Sequence, residues 1–238
     1  MNGINDFGPI YTETVSGRFP IEPFNTYSNV MFLIIICLYT WRTKLIFKES
    51  PLVVSALPIL LIGFVGGTTF HATRSHSIWL LMDFIPIIIL VIMAAVNLWQ
   101  RVLENLWLSM LLTVGPLFIF RVTAALFDLP IQFRISIGYT ISAICVALPA
   151  FTYWYYCGKR NGHLLGLTFF SFALAITFRY GDSSWGKSLL PMGTHFLWHI
   201  FGALSAWGLI EFIYRADQKF AESAVAQAGD ISGGNRPI

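Results

Sequence analysis

An all-α integral membrane bundle of seven transmembrane helices is the fold class this chain predicts, and three observations carry the prediction. Of its 238 residues, 56% are hydrophobic and only 11% are charged, less than half the roughly 25% typical of a soluble domain. The mean hydropathy is +0.67. The apolar residues fall into seven runs, each near the ~20 residues a helix needs to cross a bilayer. Aromatic residues make up 16% of the chain, including 21 Phe and 8 Trp, which suits lipid-facing and interfacial surfaces.

Residues 1–28 are polar, contain Gly and Pro, and lack an apolar h-region, so they read as an N-terminal outer segment without a cleavable signal. The first apolar run, 29–47, therefore serves as the insertion signal. The next runs are 52–71, 78–98, 106–127 and 135–157, followed by the shortest, 164–178, and by 192–214. Pro58, Pro86, Pro116 and Pro149 lie inside runs, which membrane helices tolerate where neighbours satisfy the freed carbonyls. The seven runs form one domain, 29–214. The tail 215–238 is rich in Ala, Gly, Ser and Asp and reads as disordered and cytosolic. No internal repeat is visible.

Charge sets the orientation. Lys and Arg in alternate loops number nine on one side, beginning with Arg42 and Lys44, and five on the other, beginning with Arg18 and Arg74. The richer side is cytosolic, which places the N-terminus outside and the C-terminus in the cytosol. The net charge of +3 is scattered, with no basic stripe, so nucleic-acid binding is set aside. Nothing calls for an obligate protein partner. Cys37, Cys145 and Cys157 match no metal-ligand spacing and read as small buried hydrophobes.

Three histidines stand out against this apolar background. His71 closes the second run; His195 and His199 open the last. The i, i+4 spacing puts the latter two on one helix face. Two ligands from one helix turn and one from another helix make a three-nitrogen site, which leaves a catalytic zinc an open fourth position. Neutral imidazole suits zinc. The competing reading of each histidine is a hydrogen-bonded core or interfacial residue. The predicted topology puts His71, Asp83, His195, His199 and the segment Glu22–Asn29 at one outer depth, which favours a site.

Asp83 has three readings: an acid–base group serving a metal-activated water, an acceptor fixing a histidine tautomer, or a carboxylate placed at a helix N-terminus. Thr68 and Thr69, within one turn of His71, either donate to an oxyanion or back-bond to their own helix. Gly66 and Gly67 permit close helix packing or close ligand approach. Trp198, between the paired histidines, is a candidate for substrate or ligand contact. Arg121 needs a partner inside the membrane, either Asp128 or a substrate headgroup. Arg179, Tyr180 and Asp182 form an outer cluster with a substrate role or none. His76 and His163 read as solvent-facing, and Asn97 as interhelical glue. Glu22, Asn25 and Asn29 either cap and dock the first helix or supply oxygens to calcium.

These residues resemble a family. Glu22-Pro-Phe-Asn25-Thr-Tyr-Ser28-Asn29 resembles the E-x-x-N-x-x-S-N segment of the alkaline ceramidases. Phe70-His71-Ala-Thr73 and Leu80-Leu81-Met-Asp83-Phe-Ile-Pro86 resemble their F-H-x-T and L-L-D-E-L-P segments, and His195-Phe-Leu-Trp198-His199 resembles their H-x-x-W-H. The resemblance covers residues 7–214 and extends to a superfamily that includes progestin and adiponectin receptors. It implies zinc on His71, His195 and His199, a role for Asp83, and hydrolysis of the ceramide amide. Three departures stand against it. The family's serine is Gly67 here, so Thr68 must substitute or the contact is lost. Asp83 follows His71 by twelve residues rather than eleven. The acidic calcium segment is replaced by Thr14-Val-Ser-Gly17-Arg-Phe19, which leaves Glu22 and Asn25 as its remnant and speaks against a calcium ion.

The expected function is a zinc-dependent hydrolase that cleaves the amide of ceramide or a related N-acyl lipid drawn from the membrane. The alternative is a receptor-like lipid-binding protein with structural zinc. A transporter would need polar residues at several depths, whereas here they gather near one face.

Overall fold

The computed structural model describes residues 4–127 and 130–233. Its helices are α1 (Pro23–Ser28), α2 (Val30–Thr43), α3 (Pro51–Thr73), α4 (Ser77–Leu103), α5 (Leu106–Leu126), α6 (Ile131–Tyr156), α7 (Gly162–Gly181), the short α8 (Lys187–Leu189) and α9 (His195–Gly233). Seven stretches are long and apolar enough to cross a membrane, α1 and α2 together forming the first and α7 with its extension to Leu189 forming the sixth. The chain is an all-α, multi-pass membrane protein.

Local chemistry sets the helix starts. Pro23 and Pro51 open α1 and α3, where the missing N–H of proline costs nothing. Asn105 Oδ1 caps α5 by accepting from Leu108 N at 3.0 Å, and exposed His76 caps α4 by accepting from Ile78 N. Glu13, from the N-terminal segment, accepts from Phe24 N and Asn25 N and so caps α1. Arg74 and Glu104 end α3 and α4 in the left-handed conformation.

Packing closes six helices into a ring. α2 lies on α3, α3 on α4, α4 on α6, α6 on α7, α7 on α9, and α9 returns to α2. α5 stands outside the ring against α4 and α6. At Gly66 a side chain would collide with the Met82 backbone, so α3 and α4 cross at near-contact distance, and this crossing presses Gly67 toward Asp83.

A buried polar cluster, absent from the sequence reading, sits at the end of the bundle opposite the histidines. Glu211 accepts from Tyr39 Oη at 2.6 Å, Arg42 Nη1 at 2.5 Å and Arg215 Nε at 2.7 Å. Beside it Arg101 pairs with Asp217 and donates to Asn97 Oδ1 in its own helix, so Asn97 is not the interhelical bridge expected. The last helix does not stop at residue 214; it continues through Gly233. Ala, Gln, Lys and Glu in this stretch are strong helix formers, and the Arg101–Asp217 pair holds its first turn; residues 234–238 of the tail expected to be disordered lie outside the described residues. Cys145 is buried as expected, whereas Cys37 and Cys157 are exposed.

Candidate metal centre

Two helix ends converge to place the histidines. His71 lies in the last turn of α3; His195 and His199 occupy the first two turns of α9. All three are buried, and one potential ligand atom from each lies within 4.8 Å of the others, a spacing that a single metal ion can bridge. Among the described residues this is the one such group that could hold a metal ion.

The outer partners of the imidazoles decide which nitrogens face the ion. His71 Nδ1 meets Glu22 Oε2 at 2.5 Å. A carboxylate only accepts, so Nδ1 carries the proton and Nε2 keeps its lone pair for a ligand. His199 Nδ1 meets Ser28 Oγ at 2.7 Å. Ser28 spends its own hydrogen on the Asn25 carbonyl, so it accepts from His199 and again leaves Nε2 bare. His195 Nδ1 is buried without a hydrogen-bond partner among the described residues. Its ring is stacked on Tyr11, with centroids 3.7 Å apart and planes 19° from parallel. Two prepared nitrogens and a third imidazole with an orphaned buried nitrogen fit a metal-binding donor set.

The N-terminal segment closes the centre from its own end of the bundle. Arg74, fully buried, donates to both carboxylate oxygens of Asp6 at 2.7 Å and to Glu22 Oε1 at 2.5 Å. Thr14 Oγ1 and Asn25 Nδ2 complete the Glu22 carboxylate. Burial raises that carboxyl, but the hydrogen bond from His71 and the charge of Arg74 outweigh it and hold it down at about 2. Burial also pushes Glu13 up and pushes the Tyr11 phenol well above its ordinary value, against the pull of Arg179. Asp182 fastens the other flank. Its Oδ1 accepts from Thr194 N and His195 N at the start of α9, and its Oδ2 accepts from Thr12 N.

Below the histidines, the ring encloses an apolar cavity of about 210 Å³. Asn29, Asp83, Tyr139, Trp198 and His199 line its head; Leu52, Val53 and Ile213 line its far end. The distance along α9 from His199 to Ile213 is roughly 21 Å at 1.5 Å per residue. No residue of α5 lines it.

The structure therefore brings together His71, His195 and His199, with Asp83 and Trp198 at the adjacent cavity head, as the spacing predicts. The other expected residues are placed as follows. Thr68 and Thr69 do not line the cavity; Thr68 Oγ1 is buried without a partner among the described residues. Gly67 is the residue that meets Asp83, since a Cβ there would lie 2.5 Å from Asp83 Oδ1. Arg121 is exposed on α5, outside the ring, which removes it from the substrate space; its expected partner Asp128 lies outside the described residues. Of the expected calcium remnant, the Glu22 carboxylate is engaged by His71, Arg74, Thr14 and Asn25. Of the outer cluster, Tyr180 is exposed, Asp182 is a structural cap, and Arg179 is buried with its guanidinium over Tyr139 and Trp198. His163 is exposed, as expected.

Sequence reasoning missed Tyr11 and Arg74, and it gave Asp182 no capping role. Tyr11 carries no helical pattern that would place it. Arg74 is the third residue beyond His71, and a cation so near a buried histidine was the available signal. Comparison with known proteins gives no match to a family model and none to a curated protein.

Proposed function

We propose that this protein is a zinc-dependent membrane hydrolase that cleaves the amide of an N-acyl lipid, ceramide or a close relative. The observation that carries the reading is the buried histidine triad set at the head of a long apolar cavity, with the Asp83 carboxylate beside it. The resemblance of the motif residues to the alkaline ceramidases supports it. Zinc on the three imidazoles supplies the Lewis acid and activates water at neutral pH.

The protein's own residues do the rest. Glu22 and Ser28 hold His71 and His199 in one tautomer, which raises their basicity as ligands. The apolar walls take the acyl chain, each buried methylene contributing about 0.8 kcal/mol. Asp83 takes the proton from the attacking water and delivers it to the departing nitrogen as the C–N bond breaks and the C–O bond forms. The N-terminal segment covers the triad on its own side, so substrate enters from the lipid. The excess of Lys and Arg in the loops at the opposite end supports an orientation with this covered end on the outer side.

The test is a panel of N-acyl and O-acyl lipids incubated with purified protein in detergent, with and without a chelator, and released fatty acid identified by mass spectrometry. Chelator-sensitive release is expected. Asp83→Asn should keep its zinc and lose on the order of 10²–10⁴ in rate. Bound zinc and bound lipid without turnover overturn the hydrolase reading in favour of the receptor-like one.

A further inference from the structure

We propose that Asn29 selects the substrate: its side-chain oxygen accepts the N–H of the scissile group beside Asp83, so the site takes secondary amides and discriminates against esters. Turnover by this route rests on the hydrolase reading above; the binding preference does not.

Asn29 sits at the junction of α1 and α2 and is 2% exposed. Its Nδ2 donates to the Asn25 carbonyl at 3.0 Å. A carbonyl oxygen only accepts, so the amide nitrogen must face Asn25 and Oδ1 must face the other way. The same Asn25 carbonyl accepts from Ser28 Oγ, which meets His199 Nδ1. The Asn29 amide is thus tied to a histidine of the triad through three hydrogen bonds, by way of the Asn25 carbonyl and Ser28.

Its oxygen points where the chemistry has room. Measured from the position a Cβ would take at Gly67, Asn29 Oδ1 is 3.2 Å away and Asp83 Oδ1 is 2.5 Å away. Both residues line the cavity head together with His199. Among the described residues the Asn29 amide hydrogen-bonds through Nδ2 to the Asn25 carbonyl, and its Oδ1 has no donor. Two acceptors side by side, one of them on a side chain held in a single orientation, call for a partner that brings donors. The glycine at 67 is what lets both stand there.

A secondary amide meets this demand. Its N–H donates to Asn29 Oδ1 in the bound state. When the C–N bond breaks, the proton that Asp83 received from water passes to the same nitrogen. The leaving primary amine then carries two hydrogens, one facing Asn29 and one facing Asp83. An ester offers no hydrogen to Asn29 and strands a buried acceptor. A site built to bond a donor rejects the analogue that lacks it.

The experiment compares three probes on the wild-type protein: palmitoyl ethanolamide, its N-methyl derivative, and the palmitoyl ester of ethylene glycol. Turnover is measured on zinc-loaded protein. Binding is measured separately, after chelation, by displacement of a fluorescent fatty amide. The ethanolamide is expected to exceed both analogues by about 10–10²-fold in kcat/KM and in affinity, the cost of one stranded buried acceptor. In Asn29→Leu, of similar shape, the gap should close while zinc content stays at one per chain. Equal handling of the three probes by the wild-type protein overturns the proposal, as does a gap that survives in Asn29→Leu. If none of the probes is turned over, the hydrolase reading fails and the displacement arm still decides on Asn29. If Asn29→Leu does not fold, the N-methyl comparison on the wild-type protein decides.

Discussion

Gly67→Ala is the sharpest perturbation the structure offers, because it adds one methyl group at the point where Asp83 rests. That methyl carbon would stand 2.5 Å from Asp83 Oδ1 and 3.2 Å from Asn29 Oδ1, against an ordinary contact of 3.4–4 Å. The Asp83 oxygen must withdraw by about 1 Å, and a displacement of that size at a reacting group costs about 10²-fold in rate. The colliding atom is the end of a side chain, not backbone, so the fold yields cheaply; about 1 kcal/mol of destabilisation is expected, the low end for an overpacked site. Gly67→Ser carries the same Cβ and should behave alike, even though it restores the hydroxyl that the ceramidase resemblance calls for. The assay is turnover of an N-acyl lipid, with zinc content and thermal midpoint read on the same samples. Both variants should keep zinc and melt near the wild-type protein while turnover collapses. Wild-type turnover in Gly67→Ala, or a gain in Gly67→Ser, would refute the placement of Asp83 as the working carboxylate.

Two further outcomes follow from the partners of the triad. Glu22→Gln removes the carboxylate that fixes the His71 tautomer and should weaken zinc binding by about 10–100-fold, read by competition with a chelator; unchanged affinity would show that Glu22 only holds Arg74. Thr68→Val removes a buried hydroxyl that lacks a partner and keeps its shape. It should leave turnover intact and raise stability by about 1–2 kcal/mol, which a thermal shift in detergent measures; a large loss of turnover would return Thr68 to the chemistry.

Much of this site is legible in the chain because its parts are unusual for a membrane interior. Imidazoles at 195 and 199 share a helix face by spacing alone, and alternation of the spans brings His71, Asp83 and Glu22 to the same end. The roles of neighbours are less legible. A rotation of about 100° per residue separates Gly67 from Thr68, and sequence cannot say which of them faces the next helix; the collision at Gly66 decides it. Arg121 reads as a site residue only while α5 is assumed to face the centre, and the ring leaves α5 outside. Tyr11, Asp6 and Glu13 belong to a segment without periodicity, held by side-chain hydrogen bonds that no local pattern encodes. The continuation of α9 past residue 214 is not legible in its Ala-rich composition, because helix-forming and disordered tails share that composition; the contact Arg101–Asp217 lies in tertiary structure.

The most direct measurement of the central claim is the metal content of the purified protein by elemental analysis, with the coordination read by X-ray absorption. One zinc per chain with three nitrogen ligands is predicted for the wild-type protein, together with its loss in His71→Ala, His195→Ala and His199→Ala, since two remaining imidazoles rarely hold the ion. Stoichiometric zinc in any of these variants, or a wild-type protein that binds none when offered it, would contradict the account.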